Sequence, residues 1–282
     1  MTAVLLTGAT SGLGRWLAPR LGAAGLTVLL HGRDPDKVAR GVAEVRAAGG
    51  TAEGLVADLA SLAEVDRLAA AVAGRDDLTI LVNNAGVGFG PPGGAREESA
   101  DGHELRWAVN FLAPVRLTTA LLPTLTANAP AKVVNVGSIG QAPIDFDDVE
   151  LRRSYDGVTA YRRSKLALAA WSLDLTDDLA GELEGRLAGG EVSVNCLHPA
   201  TFMDTQMVRD YGAAPRSTVQ EGGEATLRLI LHERGTGGFF DGDRPARAHP
   251  DAYDPEVRRR LRAMFGSAAT GKAQTHEQSD CR

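Results

Sequence analysis

The stretch that decides the fold is Thr7-Gly8-Ala9-Thr10-Ser11-Gly12-Leu13-Gly14, near the start of the 282-residue chain. It follows the apolar run Val4–Thr7 and opens the amphipathic stretch Leu13–Ala24, so the pattern predicts a glycine-rich turn between a strand and a helix. Such a turn lets a pyrophosphate approach the helix N-terminus. The spacing G-x-x-x-G-x-G differs from G-x-G-x-x-G, and an ordinary strand-to-helix turn is the alternative. Its place in a βαβ unit favours a dinucleotide site.

The same alternation of short apolar runs and longer amphipathic stretches continues to about residue 240. The predicted strands are Val4–Thr7, Thr27–His31, Thr51–Val56, Leu78–Val82, Lys132–Val136 and Glu191–Leu197. The predicted helices are Leu13–Ala24, Pro35–Ala47, Ser61–Ala73, Ser99–Thr126 and Ala160–Leu183. Near-continuous apolar character suits strands that are covered on both faces. The pattern therefore predicts an α/β, Rossmann-type doubly wound parallel sheet in three layers. One domain is expected over residues 1–266, followed by a polar, disordered tail over 267–282.

Composition excludes several classes of function. The chain carries 30 basic and 36 acidic side chains, a net charge of −6, and no block of lysine or arginine, which argues against nucleic acid as the main partner. No leader pattern is visible, and no apolar run reaches the ~18 residues of a membrane helix. Two cysteines are too few for a disulfide scaffold. The six histidines lack metal-ligand spacing. We therefore expect a cytoplasmic globular protein without a membrane span or a metal.

The end of the second predicted strand bears on cofactor choice. An NAD-binding unit usually places an acid there to hold the ribose 2′-hydroxyl. Here the sequence is His31-Gly32-Arg33-Asp34, in which Gly32 carries no charge and Arg33 offers a fork suited to a 2′-phosphate. Asp34 can cap the helix that starts at Pro35. NADP(H) is the predicted cofactor, with a merely solvated Arg33 as the alternative.

Several polar side chains are expected to converge on the same edge of the sheet. Tyr161 and Lys165 are four residues apart and share one face of a helix. Ser138 ends one strand and Asn83-Asn84-Ala85-Gly86 end another. The carboxyl ends of parallel strands face the ligand crevice, on the side of the glycine turn. A surface Tyr–Lys pair is the alternative. The expected closeness of Ser138 and of Asn83–Gly86 to this pair favours a catalytic site.

Together these motifs resemble those of the short-chain dehydrogenase/reductase family over about residues 3–240. The matching residues are Thr7–Gly14, Asp58-Leu59, Asn83–Gly86, Asn110, Ser138, Tyr161 and Lys165. Within the family the chain is most similar to the branch of retinol dehydrogenases and protochlorophyllide reductases. That similarity lies in Asp101-Gly102-His103-Glu104, in Phe146-Asp147-Asp148, in Ala160-Tyr161 and in the separation of Ser138 from Tyr161.

The resemblance implies a catalytic set of Asn110, Ser138, Tyr161 and Lys165. Tyr161 would be the acid/base, with Lys165 favouring the tyrosinate and holding the nicotinamide ribose. Ser138 would orient the substrate oxygen, and Asn110 would hold a water that links Lys165 to solvent. Asp58 would accept from the adenine amino group. The implied cofactor-binding residues are Gly8, Ser11, Gly12, Leu13, Gly14, Arg33, Asp58, Leu59, Asn84, Ala85, Gly86, Tyr161, Lys165 and Pro199.

One segment departs from the family pattern. The family usually has Pro-Gly after the sixth strand and a threonine a few residues later, whereas this chain has Pro199-Ala200 and a later Thr205. The resemblance therefore does not extend to the lid geometry and the contacts with the nicotinamide carboxamide. Three segments are expected to line the substrate pocket: the Gly90–Gly94 loop and residues 142–158 and 200–217. In or beside them, Phe89, Phe146, Met203 and Met207 favour an apolar substrate.

The predicted function is NADP(H)-dependent reduction of a ketone or aldehyde of an apolar or metabolite-sized substrate. Epimerisation, dehydration or enone reduction at the same site is an alternative, and a non-catalytic NADP-binding protein is another. The expected partner is a small-molecule carbonyl or alcohol. Whether the helices carrying Asn110 and Tyr161 pair in a homo-oligomer stays open.

Overall fold

In the computed structural model, which describes residues 2–185 and 192–269, the chain is built on one sheet. The described strands are β1 (Ala3–Leu6), β2 (Thr27–Gly32), β3 (Thr51–Val56), β4 (Leu78–Asn83), β5 (Ala131–Val136), β6 (Val192–His198), β7 (Phe239–Asp241) and β8 (Arg244–Ala246). Their order is β3-β2-β1-β4-β5-β6-β7-β8, and each neighbouring pair is parallel except the antiparallel pair β7–β8. The predicted doubly wound parallel sheet is confirmed.

Helices cover both faces of this sheet. The described helices are α1 (Gly12–Ala23), α2 (Pro35–Ala47), α3 (Leu62–Val72), α4 (Leu105–Ala127), α5 (Gly157–Gly185), α6 (Gln206–Asp210), α7 (Val219–His232) and α8 (Pro255–Ala269). Leu68, Leu117 and Leu166 bury α3, α4 and α5 in one core cluster. Leu17, Val42 and Leu229 bury α1, α2 and α7 in the other. The three predicted layers are therefore present.

Helix α4 contains one turn of different geometry and differs from the sequence expectation at its start. Residues Ala108–Leu112 form a π turn within the continuous helix. The helix begins at Leu105 rather than Ser99, because Glu98 pairs with Glu104 in an isolated antiparallel bridge. The Glu104 carboxylate then accepts a hydrogen bond from the backbone N–H of Trp107 at 2.8 Å, which caps the first turn.

The expectation that no stretch is long and apolar enough to cross a membrane needs correction. Among the described residues, α4 passes by length and composition, with 23 residues from Leu105 to Ala127. However, 72% of the apolar stretch of this helix is buried inside the protein, as expected for a core helix. Cytoplasmic placement stays a prediction.

The C-terminal part holds elements that the sequence pattern did not indicate. Strands β7 and β8 have three residues each, too few for a periodic signal. Helix α8 runs to Ala269 and so overlaps the first three residues of the predicted tail, while residues 270–282 lie outside the described residues. Helix α8 is anchored to α5 by Arg262, whose Nη2 lies 2.6 Å from Oδ1 of Asp174.

Candidate active site

The glycine turn between β1 and α1 is pressed against the end of β4. Gly8 has a positive φ of 64°, and a Cβ there would lie 2.7 Å from Cα of Ala85. A Cβ on Gly14 would lie 2.3 Å from the carbonyl oxygen of Gly8, so both positions require glycine. The side-chain amide of Asn84 donates to the carbonyl oxygen of Thr7 at 2.8 Å and fixes the turn.

The start of α1 is open toward the crevice. Ser11 is the N-cap residue and is exposed, and its side chain makes no capping hydrogen bond. The N–H groups of the first turn, from Gly12 to Gly14, are therefore free of a side-chain cap, and the helix dipole favours an anion there. Leu13 is buried and holds the helix on the sheet. This arrangement can hold a pyrophosphate.

His31 ties the glycine turn to the end of β3, a connection that sequence reasoning missed. Its buried ring accepts a hydrogen bond at Nδ1 from the N–H of Gly8 at 3.2 Å, and Nε2 donates to the carbonyl oxygen of Ala57 at 3.0 Å. These partners require the neutral ring with its proton on Nε2. Burial lowers the pKa of His31, which favours the same neutral form.

The residues after β2 and β3 lie as predicted at the carboxyl edge. Asp34 caps α2 by accepting from the N–H of Lys37 at 3.0 Å. Arg33 is exposed and has no hydrogen bond or ion pair with another described residue, so its guanidinium is available to an anion. Asp58 accepts from the N–H of Ala60 at 2.9 Å, and Leu59 is buried in the core.

Tyr161 and Lys165 project from the first part of α5. Lys165 is buried, its Nζ donates to the carbonyl oxygen of Val136 at 2.8 Å, and it lies 5.7 Å from the centroid of the Tyr161 ring. Burial lowers the pKa of Lys165 to about 8, although nearby Cys196 acts to raise it. Burial raises the pKa of Tyr161, and a hydrogen bond with Ser138 partly offsets that rise. At neutral pH, Tyr161 is therefore protonated and Lys165 is mostly charged.

Asn110 lies in the π turn of α4, and its side chain is hydrogen-bonded to Val87 and Ser164. Its Oδ1 accepts from the N–H of Val87 at 2.7 Å, and its Nδ2 donates to the carbonyl oxygen of Val87 at 3.0 Å and to Oγ of Ser164 at 3.1 Å. The Ser164 hydroxyl in turn donates to the carbonyl oxygen of Tyr161 at 2.7 Å. The Asn110 Oδ1 accepts one hydrogen bond here, so its second lone pair is the side-chain acceptor left for a water.

Gly86, after the end of β4, lies close to the side chains of Asn110 and Lys165. A Cβ at this position would lie 3.3 Å from Oδ1 of Asn110 and 3.8 Å from Nζ of Lys165. Ser138, at the end of β5, faces Tyr161, and its Oγ accepts from the N–H of Gly140 at 3.0 Å. The structure thus brings all four catalytic candidates together at one edge of the sheet.

The segment after β6 folds across the crevice. Thr205 Cγ2 would lie 3.2 Å from a Cβ on Gly12, and Met207 Cγ would lie 2.4 Å from a Cβ on Gly88. The later threonine therefore still reaches the glycine turn. Pro199 is buried, and both it and Ala200 pack beside Gly222, where a Cβ would lie 3.3 Å and 3.4 Å from their respective Cβ atoms.

An aromatic cluster extends from the Tyr161 ring through Phe89. The Phe89 ring lies 4.5 Å from that of Tyr161, 4.7 Å from that of Tyr211 and 6.3 Å from that of Phe202, measured between centroids. We call Phe89, Phe202 and Tyr211 the aromatic wall. Sequence reasoning found Phe89 but missed Phe202 and Tyr211, although both lie in the 200–217 segment that it assigned to the pocket.

Two of the apolar residues named for the pocket segments, Phe146 and Met203, pack against neighbouring helices. Phe146 packs against the core under the Arg260 guanidinium, whose Cζ is 4.3 Å from the ring centroid. Met203 packs beside Gly222, where a Cβ would lie 2.3 Å from its sulfur. Long-range contacts with α8 and α7 direct these two side chains, and their part in the substrate pocket stays a prediction.

The chain is similar in sequence and in fold to known dehydrogenases. The short chain dehydrogenase family matches residues 2–216. Retinol dehydrogenase 13 of Homo sapiens is 32% identical over 283 residues, covering 92% of this chain and 81% of the relative. Polyprenol dehydrogenase of Mus musculus is 35% identical over 286 residues, covering 91% and 80%. The solved short-chain dehydrogenase from Sphingobium yanoikuyae in complex with NADPH has a TM-score of 0.66 at 25% identity, covering 100% of this chain and 99% of that chain.

Proposed function

The chain belongs to the short-chain dehydrogenase family and is an oxidoreductase, and from that premise we propose that it uses NADP(H) to reduce the ketone or aldehyde group of an apolar substrate. The observation that carries the proposal is the meeting of Ser138, Tyr161 and Lys165 beside the aromatic wall. A hydroxyl pair for a carbonyl oxygen and an apolar surface for its substituents thus lie side by side.

The crevice fits a dinucleotide. Gly8 and Gly14 stand where a Cβ would collide with backbone, and the start of α1 lacks a side-chain cap. Arg33 is free to hold a 2′-phosphate, and the Sphingobium yanoikuyae relative is in complex with NADPH. When bound, the nicotinamide supplies the hydride, and the chain manages orientation and the proton.

Each cofactor contact is proposed for a specific part of the dinucleotide. The pyrophosphate would lie on Gly8, Ser11, Gly12, Leu13 and Gly14. The adenosine would lie between Asp58 and Leu59 on one side and Asn84, Ala85 and Gly86 on the other. Lys165 would hold the nicotinamide ribose, and Tyr161 and Pro199 would border the ring. All of these residues lie at or beside the carboxyl ends of β1, β3, β4, β5 and β6.

The proton chemistry follows from the environments of the two ionisable groups. Because burial raises the pKa of Tyr161, its hydroxyl keeps its proton at neutral pH and can donate it to a carbonyl oxygen. The Ser138 hydroxyl orients the same oxygen. The Lys165 charge stabilises the tyrosinate left behind. Reprotonation would pass through Lys165 and a water held by Asn110.

The surroundings of Tyr161 favour an apolar substrate. Besides the aromatic wall, Ile139 and Met207 are the large hydrophobic side chains exposed near Ser138 and Gly86, with exposed fractions of 50% and 36%. Clusters of exposed apolar side chains beside a crevice mark binding surfaces. Two relatives are named for the apolar alcohols retinol and polyprenol, which supports the same substrate class.

The test is NADPH oxidation by the purified protein against a panel of apolar ketones, aldehydes, quinones and enones, with identification of the product. We expect an aldehyde or ketone to be converted to its alcohol, with one NADPH consumed per alcohol formed. A saturated ketone formed from an enone, or a product formed without net NADPH consumption, would contradict the proposal.

A further inference from the structure

Phe89 is held in place by its backbone neighbours on both sides. The carbonyl oxygen of Gly88 accepts a hydrogen bond from Nε of Arg106 at 2.8 Å. Gly90 has a positive φ of 74°, and a Cβ there would lie 2.5 Å from Nη2 of the same arginine. On the other side, a Cβ on Gly157 would lie 2.1 Å from the carbonyl oxygen of Phe89. The peptide of Phe89 is thus wedged between α4 and α5.

Arg106, which holds the backbone next to Phe89, is an unusual residue because its charged side chain is only 2% exposed. Its charge is matched by Glu104, 1% exposed, at 3.2 Å and by Glu97 at 3.0 Å. The Tyr155 hydroxyl donates to the Glu104 carboxylate at 3.1 Å. Burying a guanidinium is costly unless such partners satisfy it. None of these four residues belongs to the catalytic or cofactor-binding set.

We propose that Phe89 is a specificity-determining residue and that Arg106 is the positioning residue that holds it, an inference that rests on the proposed function. The Tyr161 and Ser138 hydroxyls fix the carbonyl oxygen, so a substituent on the carbonyl carbon has to pass close to the Phe89 ring, 4.5 Å from that of Tyr161. A rigid ring flanked by Tyr211 accepts a flat apolar group better than a puckered, saturated one.

The experiment compares two substrates of equal carbon number, benzaldehyde and cyclohexanecarbaldehyde. We expect the wild-type protein to favour the planar aldehyde in kcat/KM. In Phe89→Leu, which keeps an apolar side chain but removes the plane, that preference falls about tenfold. Most of the change is expected in KM for benzaldehyde. Phe146→Leu is the matched control, because that phenylalanine packs under α8, and it retains the wild-type preference.

Arg106→Gln tests the positioning role, since glutamine can still donate to Gly88 but leaves the ring less constrained. We expect the same direction of change as in Phe89→Leu. The double variant should show little further loss, because the two residues act through one ring. Should Arg106→Gln fail to fold, the same comparison in Tyr155→Phe, which removes only one hydroxyl of the cluster, takes its place and predicts a smaller shift.

The outcomes separate this inference from the proposed function. An unchanged substrate preference in Phe89→Leu, in a protein that reduces both aldehydes with NADPH, overturns the specificity role and leaves the proposed function intact. A substrate preference that falls equally in Phe146→Leu also overturns it. If the wild-type protein reduces neither aldehyde nor any carbonyl of the panel, the proposed function fails and this inference fails with it.

Discussion

Lys165 and Tyr161 are four residues apart on α5, yet burial moves their two pKa values in opposite directions. The amine pKa falls to about 8 because burial disfavours its charged form, and the phenol pKa rises because burial disfavours the phenolate. The site therefore holds a cation that is close to losing its proton and a phenol that keeps its own. Both states suit proton donation near neutral pH.

This pairing predicts the pH dependence of carbonyl reduction. Below about pH 8 Lys165 carries its charge, and above it the amine becomes neutral and no longer stabilises the tyrosinate. We expect kcat/KM for reduction to be steady between pH 6.5 and 7.5 and to fall as pH rises through about 8. A profile of kcat/KM that is flat up to pH 10 would contradict the assigned role of Lys165.

His31 predicts a second pH effect, on stability. Its pKa in the folded protein lies below the ordinary value, so the native state needs the neutral ring. The stability it contributes is complete above the unfolded pKa of about 6.5 and declines as pH falls toward the folded value. We expect the free energy of unfolding to fall less steeply between pH 7 and 5 in His31→Asn than in wild type. Equal slopes for the two proteins would contradict this account.

Arg33 predicts the cofactor preference. The Arg33 guanidinium makes no hydrogen bond or ion pair with another described residue. Its removal should therefore lower the affinity for NADPH without disturbing the fold. A hydrogen bond to a charged group contributes about 1.5–3 kcal/mol, so Arg33→Ala should weaken NADPH binding about tenfold to a hundredfold and leave NADH binding nearly unchanged. Arg67→Ala, an exposed arginine on α3, is the control. Equal NADPH affinity in Arg33→Ala and wild type would refute a 2′-phosphate contact.

At the scale of elements, a local side-chain cap explains where α4 and α7 begin. Helix α7 starts at a complete capping box, in which Thr218 Oγ1 accepts from the N–H of Glu221 at 3.1 Å and the Glu221 carboxylate accepts from the N–H of Thr218 at 2.6 Å. Two N–H groups are thus satisfied reciprocally. The same logic starts α4 at Leu105, where the Glu104 carboxylate is the cap.

The capping box predicts a measurable cost. Thr218→Ala removes one half of it and should lower the free energy of unfolding by about 1 kcal/mol. Ser61→Ala is the comparison, because the hydroxyl of Ser61 caps α3 through a longer bond of 3.4 Å and should matter less. Urea unfolding of both variants measures the difference. A smaller loss for Thr218→Ala than for Ser61→Ala would contradict the argument.

At the scale of the whole molecule, the sequence predicts what depends on order along the chain. Apolar runs that alternate with amphipathic stretches predict a doubly wound sheet. Ser138, after β5, and Tyr161 and Lys165, on α5, then lie together at the carboxyl edge of that sheet. What it misses depends on distant packing. Phe146 turns toward Arg260, more than a hundred residues later, and no local pattern encodes that contact. The ring contacts of Phe202 and Tyr211 likewise exist only once their segment folds over the crevice.

The measurement that tests the central claim most directly is the rate of alcohol formation from the best carbonyl of the panel by wild type and Tyr161→Phe, with NADPH binding measured in parallel. The account predicts that the variant binds NADPH but loses activity by about a hundredfold to ten-thousandfold, since the phenylalanine ring keeps the packing against Phe89 and removes only the proton donor. Alcohol formation by Tyr161→Phe at the wild-type rate would contradict it.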